Sequence, residues 1–279
     1  MSKKAENNMW NSSFYDFLTS QYPNMLSQSG LNHTGDNLAN NLGHKESIKN
    51  VPFGTTVLAM KYRDGVIIAG DRMATEGYQV AARRVEKVYR CDDYSAIAIS
   101  GAAGACIEMA RLFQIELEHY EKLEGMHLTL DGKANKLSLM LRGNLPLAMQ
   151  GLIVIPIFAG YDLSKNEGRI YKYDITGGRY EETEYYSTGS GGKDARSTLK
   201  KLYSADMPED KAISLALEAL YDAAEEDIGT GGPDMIRGIY PTLKMIRKTG
   251  IVDLDEETIE TVYKRMIANR QKYHKKEKQ

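Results

Sequence analysis

Few residues of this chain are spaced for chemistry. The glycine-rich run Gly189-Ser190-Gly191-Gly192-Lys193 invites a phosphate. A P-loop, however, needs Gly five residues before its second Gly and Ser or Thr after the Lys, and Ser187 and Asp194 stand there. The five histidines, His33, His44, His119, His127 and His274, have no metal-ligand spacing, and none sits in a motif that would support a Ser-His-Asp triad. Cys91 and Cys106 have no evident base beside them, and Cys106 reads as a small buried helix residue. No cofactor or metal is expected. What remains is the Gly54-Thr55 step. A threonine exposed as a new N-terminus carries a hydroxyl nucleophile and, on the same residue, an amine of pKa about 7.7–8.0 that can take the hydroxyl proton. Taken alone, a Gly-Thr pair before a strand does not single out that chemistry.

The elements around this step show why it stands out. Residues 1–54 hold nine Asn and seven Ser, with four Lys balanced by four acids and no long periodic pattern. Asn and Ser divert backbone hydrogen bonds into turns, so an arm is expected there, with Trp10, Phe14, Tyr15, Phe17 and Leu18 as an apolar cluster that could dock. From Thr55 the pattern becomes dense. Thr55–Tyr62 and Gly65–Asp71 read as a hairpin about Arg63-Asp64-Gly65, and Lys87–Arg90 and Ala96–Ser100 as two short strands about Asp92-Asp93. Ala105, Met109, Leu112, Phe113, Leu117 and Tyr120 recur at helical spacing.

A second helical stretch covers about Lys133–Met149, weakened by Gly143 and Pro146. Strands follow at Leu152–Ala159, Gly168–Ile175 and Tyr180–Tyr186. Helices are expected from Gly191 to about Tyr203 and from near Pro208, whose stripe is Ala212, Leu215, Ala216, Ala219, Leu220 and Ala223. A strand block spans Met235–Arg247. A last helix opens at Asp253-x-x-Glu256, carries Ile259, Val262, Met266 and Ile267, and ends in a solvated basic tail, Lys272–Lys278. Hairpins segregated from helices predict a layered α+β domain.

Composition removes other classes. Lys and Arg number 36 against 38 Asp and Glu, a net charge of -2 over 279 residues, so binding nucleic acid through bulk charge is not expected. Hydrophobic residues at 42% exclude wholesale disorder. No apolar run reaches the 18 or so residues of a membrane helix, and the first ten residues do not open a secretory signal. A cytoplasmic location is the default expectation.

Downstream of Gly54-Thr55 a series of motifs follows in order. They are Gly70-Asp71-Arg72-x-Ala74-Thr75, Lys87, Ser100-Gly101, Gly189-Ser190-Gly191 and Asp227-x-x-Thr230-Gly231-Gly232. This series resembles the β subunits of the 20S proteasome. The stretches Glu116–Gly125, Arg142-Gly143-Asn144, Ala148–Gly151 and Gly231–Asp234 are most similar to the bacterial, actinobacterial-type branch. The resemblance runs from Thr55 to about Arg247.

The resemblance implies an Ntn-hydrolase fold, a four-layer αββα sandwich. It implies that residues 1–54 are a propeptide removed by self-cleavage, leaving residues 55–279 as the mature domain. Thr55 is then the nucleophile. Asp71 and Lys87 are a buried pair beside it, the lysine charge favouring the alkoxide. Ser190, Asp227 and Thr230 would hold the new amine; the family more often has Ser at the last position. Gly101 is expected to offer its N–H to the tetrahedral oxygen. Substrate would add as a strand to main-chain groups of Thr75, Gly101 and Ala103. A pocket of Ala74, Val85, Ile99 and Ala103 would favour apolar or aromatic residues before the cut. Met73 stands where many members have Arg, which leaves a structural ion pair in question.

Implied partners are other β and α subunits in stacked rings, an ATP-dependent unfoldase and protein substrates. The alternatives are an HslV-type threonine peptidase and a non-catalytic ring subunit that keeps its arm.

Overall fold

Alternation along the first two strands decides the architecture. Strand β1 (Thr56–Tyr62) turns Leu58 and Met60 to one side and Val57 and Ala59 to the other; β2 (Gly65–Gly70) turns Ile67 and Ala69 one way and Val66 and Ile68 the other. Every one of these residues is fully buried, so the sheet they form must be covered on both faces. The computed structural model describes residues 54–77 and 79–276, all within the unit Ile48–Gln279. The expected arm, with its aromatic cluster, lies outside the described residues apart from Gly54.

Elements continue with a small hairpin, β3 (Ala74–Glu76) and β4 (Gln79–Ala82), then β5 (Val88–Asp92) and β6 (Ser95–Gly101). Helices α1 (Ala103–Glu124), α2 (Leu130–Gly143) and α3 (Leu145–Met149) follow. Next come β7 (Val154–Asp162), β8 (Glu167–Tyr173), β9 (Arg179–Glu182) and β10 (Tyr185–Gly189). Helices α4 (Gly192–Leu202) and α5 (Glu209–Glu226), strands β11 (Thr242–Arg247) and β12 (Gly250–Asp253), and helix α6 (Glu256–Lys276) complete the order.

Two antiparallel five-stranded sheets result, β10-β1-β2-β11-β12 and β5-β6-β7-β8-β9. Their facing sides meet through Val57, Ala59, Val66 and Ile68 from one and Ala96, Ala98, Ile157 and Ala159 from the other. Outside the first sheet, Leu58, Met60 and Ile67 pack on Leu199 of α4, Leu215 and Leu220 of α5, and Ile259 of α6. Outside the second, Ile97, Ile99 and Phe158 pack on Phe113 of α1 and Leu137 of α2. The order helix, sheet, sheet, helix is the expected αββα sandwich. Among the described residues no helix is long and apolar enough to cross a membrane.

Several sequence expectations need correction. Tyr180–Tyr186 is not one strand. The chain breaks at Thr183-Glu184, β9 pairs with β8 in one sheet, and β10 crosses to pair with β1 in the other. That break carries no Gly or Pro, so nothing in the composition marks it. The Met235–Arg247 block is a strand only from Thr242. Before it, Asp234 accepts the N–H groups of Ile236 and Arg237 at 3.2 and 3.0 Å and bends the chain into a loop.

The helical stretch Lys133–Met149 divides in two, as Gly143 and Pro146 foretold, with Pro146 in the first turn of α3. The β3–β4 and β11–β12 hairpins add to the expected elements; the first is faint in sequence because three of its seven strand residues are Ala and none of β4 is buried. Helix α6 is capped by Asp255, whose carboxylate accepts Thr258 N–H at 2.7 Å, rather than by Asp253. Its anchor includes Tyr263, fully buried with its hydroxyl on Leu217 O at 3.2 Å.

Candidate active site

The hairpin loop Arg63-Asp64 sets the register that builds the site. With Tyr62 opposite Gly65 and Val57 opposite Gly70, Asp71 falls opposite Thr56. There Asp71 N–H donates to Thr56 O at 3.0 Å, and Thr56 N–H donates back to Asp71 Oδ1 at 2.8 Å. On the other side, β1 pairs with β10 so that Thr56 faces Gly189, and the next step of the same register brings Ser190 to Thr55.

Asp71 is wholly buried, and its second oxygen accepts the N–H groups of Met73 and Gly231, each at 2.9 Å. Lys87, which directly precedes β5, is 5% exposed and points its ammonium into this cluster. Its Nζ donates to Asp71 Oδ1 at 2.7 Å, Met73 O at 2.6 Å and Gly54 O at 3.2 Å. All three of its donors are thereby used. Burial lowers the pKa of Lys87 below the ordinary lysine value, and the Asp71 charge opposes that shift. A buried ammonium with this Asp partner is a local charge beside the Gly54-Thr55 bond.

Thr55 is buried, and its hydroxyl donates to Gly54 O at 2.5 Å. Thr55 N–H donates to Ser190 Oγ at 3.2 Å. Ser190 Oγ donates to Asp227 Oδ2 at 2.5 Å, and Thr230 Oγ1 donates to the same oxygen at 2.6 Å. Asp227 is the C-cap residue of α5, so the end of that helix carries the carboxylate to the Thr55 nitrogen. Ser190, Asp227 and Thr230 thus form one hydrogen-bonded group at the Thr55 nitrogen, and Asp71 and Lys87 a second that reaches the Gly54 carbonyl through the lysine.

Gly101 ends β6 with φ at +133°, and a Cβ there would collide with the carbonyl oxygen of Ile153, so no other residue fits. It lines a slot shared with Gly54, Thr55, Ala74, Val85, Lys87, Ile99 and Ala103. All four expected pocket walls are therefore present. Sequence reading missed Glu86, Tyr89, Cys106 and Ile107, which line the same slot. The helical period of Cys106 and Ile107 relative to Ala103 could have signalled them. Glu86 adds an acid to a pocket expected to be bounded by uncharged walls only. Thr75 does not line the slot; its hydroxyl lies against Gly54.

Among the described residues the hydrogen-bond donors to Gly54 O are Thr55 Oγ1 and Lys87 Nζ; the expected donor Gly101 N–H is not one of them in the uncleaved chain. Gly54 itself has no space to spare, since a Cβ would stand 2.5 Å from Gly229 O. The residues sequence reading left without a role are Met73, whose backbone carbonyl holds Lys87, and Thr56, whose hydroxyl meets Thr230 at 2.6 Å. Arg72 turns away and reaches Glu256 at 3.4 Å, so it does not replace the missing arginine at 73. Cys106 is no alternative nucleophile, because burial pushes its thiol up to about 12. No group of His, Cys, Asp and Glu among the described residues could hold a metal.

Comparison with known proteins matches residues 51–236 to the family model described as "Proteasome subunit". "Proteasome subunit beta 1" of Rhodococcus erythropolis is 50% identical over 264 residues, covering 93% of this chain and 90% of that protein. "Proteasome subunit beta" of Acidimicrobium ferrooxidans is 53% identical over 212 residues, 76% of this chain and 78% of that protein. The protein of that name from Streptomyces griseus is 46% identical over 259 residues, 93% of this chain and 89% of that one. The likeness is wider than Thr55–Arg247 and reaches beyond it into the terminal parts of the chain.

Proposed function

Because the chain belongs to the proteasome subunit family, and is a protease subunit of β type, we propose that it is a threonine endopeptidase whose nucleophile, Thr55, is freed by self-cleavage after Gly54. Its place is in a core particle with other proteasome subunits. The observation that carries the reading is the Gly54 carbonyl oxygen, held between Thr55 Oγ1 at 2.5 Å and Lys87 Nζ at 3.2 Å.

In self-cleavage the Thr55 hydroxyl oxygen adds to the Gly54 carbonyl carbon. The oxygen that gains charge lies against the Lys87 ammonium, an interaction that strengthens as the charge develops. The C–N bond then breaks, the nitrogen keeps the electron pair and takes the proton, and Gly54 is left as an ester on Thr55. Water hydrolyses the ester and releases residues 1–54. The free amine of Thr55 now stands where its amide stood, beside Ser190 and the Asp227–Thr230 pair. It takes the hydroxyl proton when Thr55 attacks a substrate carbonyl, passes it to the leaving amine, and a second water frees the acyl group. The Gly101 N–H serves the substrate oxyanion, and the peptide adds along Thr75, Gly101 and Ala103 as a strand. Ala74, Val85, Ile99 and Ala103 receive an apolar side chain. Folded proteins would reach the site through an ATP-dependent unfoldase.

Thr55→Ala tests the reading. Co-expressed with α-type chains, it is expected to stay full length by intact mass and to hydrolyse no peptide. Cleavage at Gly54-Thr55 in that variant, with other proteases inhibited, would overturn self-processing.

A further inference from the structure

Two glycines meet at the bond to be cut. A Cβ on Gly54 would stand 2.5 Å from Gly229 O and 2.7 Å from Gly229 Cα, and would also strike the Thr75 hydroxyl. A Cβ on Gly229 would stand 2.8 Å from Gly54 Cα. The Gly229 and Gly54 atoms are backbone and cannot swing aside. Gly229 has no positive φ, so its own conformation does not demand glycine; the approach of Gly54 does. Its N–H is held by Asp227 Oδ1 at 3.2 Å, which ties the loop to the group around the Thr55 nitrogen.

The contact follows from covalent geometry. Gly54 is bonded to the Thr55 nitrogen, and that nitrogen is pinned to Ser190. The residue before the cut is therefore folded back over Gly229 and Thr75, and a side chain on it would strike them rather than enter the slot of Ala74, Val85, Ile99 and Ala103. A separate substrate has no such tether and can enter through the slot. Resting on the self-cleavage reading above, the geometry points to Gly229 as a positioning residue for maturation alone: its bare Cα forms a glycine-only seat that presents the Gly54 carbonyl to Thr55 and Lys87. Self-cleavage and substrate cleavage thus use one nucleophile with two different subsites.

A methyl group on residue 229 must push Gly54 back by at least 0.6 Å, from 2.8 Å to the 3.4 Å where ordinary contact begins. Displacements near 1 Å at a reacting centre cost about 100-fold in rate. Once residues 1–54 have left, the nearest remaining neighbours of that methyl are Ser190 Oγ at 3.0 Å and Asp227 Oδ2 at 3.4 Å, so a shift of a few tenths of an ångström in Ser190 restores ordinary contact.

The experiment follows maturation of the full-length chain, co-expressed with α-type chains, by intact mass against time. Gly229→Ala is expected to slow cleavage about 100-fold or more, and Gly54→Ala to do the same from the other side of the contact. Peptide hydrolysis per free Thr55 N-terminus should stay within about five-fold of wild type for Gly229→Ala. It should be unchanged for Gly54→Ala, whose mature chain is chemically wild type. If no Gly229→Ala chain matures, its particle should melt with the equally uncleaved Thr55→Ala particle. Wild-type maturation in either glycine variant overturns the inference. So does an equal loss of activity per mature Gly229→Ala site, or an uncleaved Gly229→Ala particle that melts several degrees below Thr55→Ala. Failure of the underlying reading is distinct: the wild type would not mature, or Thr55→Ala would.

Discussion

The Thr56 hydroxyl lies 2.6 Å from the Thr230 hydroxyl, and Thr56 must be the donor, because Thr230 gives its single proton to Asp227 Oδ2 at 2.6 Å. A one-way chain of protons therefore runs from Thr56 through Thr230 to Asp227, where Ser190 also donates. Thr56 thereby orients the hydrogen-bonded group beside the Thr55 nitrogen, which in the proposed mechanism holds the free amine. Thr56→Val keeps the shape, removes the donor, and leaves a fully buried contact unpaired. Peptide kcat/KM is expected to fall about ten-fold and to recover in Thr56→Ser. Equal activity of the Val and Ser variants would show the hydroxyl to be idle.

Lys87→Ala removes the ammonium that donates to the Gly54 carbonyl and takes from buried Asp71 its charged partner. Breaking such a pair costs about 3–5 kcal/mol of stability. Both maturation and turnover are expected to drop by roughly 10²–10³ or more. Lys87→Arg should be nearly as poor, because a planar guanidinium cannot reach Asp71, Met73 O and Gly54 O from one point. Activity within a few-fold of wild type, in assembled particles, would reduce Lys87 to a structural cation.

The slot predicts which peptides are cut. An apolar side chain gains about 1.5–3 kcal/mol from burial against Ala74, Val85, Ile99 and Ala103, and a charge has no opposite partner on those walls. Fluorogenic peptides differing only before the cut should therefore rank apolar and aromatic above acidic residues. Glu86 sharpens the order, repelling acidic side chains and attracting basic ones. Ile99→Gly should admit bulkier residues, and Ala74→Asp should draw basic ones. A wild-type preference for acidic peptides would refute the pocket.

Away from the site, Asp131 at the start of α2 accepts from Arg169, Tyr171 and Arg179 and joins that helix to β8 and β9. The Arg169 hydrogen bond leads in holding its pKa down at about 2. The unfolded value is about 3.9, so the stabilisation is complete above pH 4 and is lost as pH falls toward 2. The melting temperature of Asp131→Asn should therefore lie below wild type at pH 5 and converge with it near pH 2. A gap independent of pH would mean that shape, not charge, holds this corner.

What the sequence determined by itself is local. The alternation in Val57–Met60 and Val66–Ala69 demands a sheet covered on both faces, and the ordered motifs from Thr55 to Thr230 carry the family and name the candidate site residues. Hairpin register is local too, so the Arg63-Asp64 loop already implies that Asp71 meets Thr56. Only the tertiary structure decided what comes from elsewhere in the chain. It moved β10 out of the strand it continues in sequence, brought Ser190 to Thr55, and turned the end of α5 toward both. It also made Gly54 and Gly229 touch, 175 positions apart. The reason is that period and turn chemistry report on neighbours within a few residues. Contact between backbones is set by how two sheets and their covering helices fill one volume, and a glycine needed for space looks in sequence like a glycine needed for a turn.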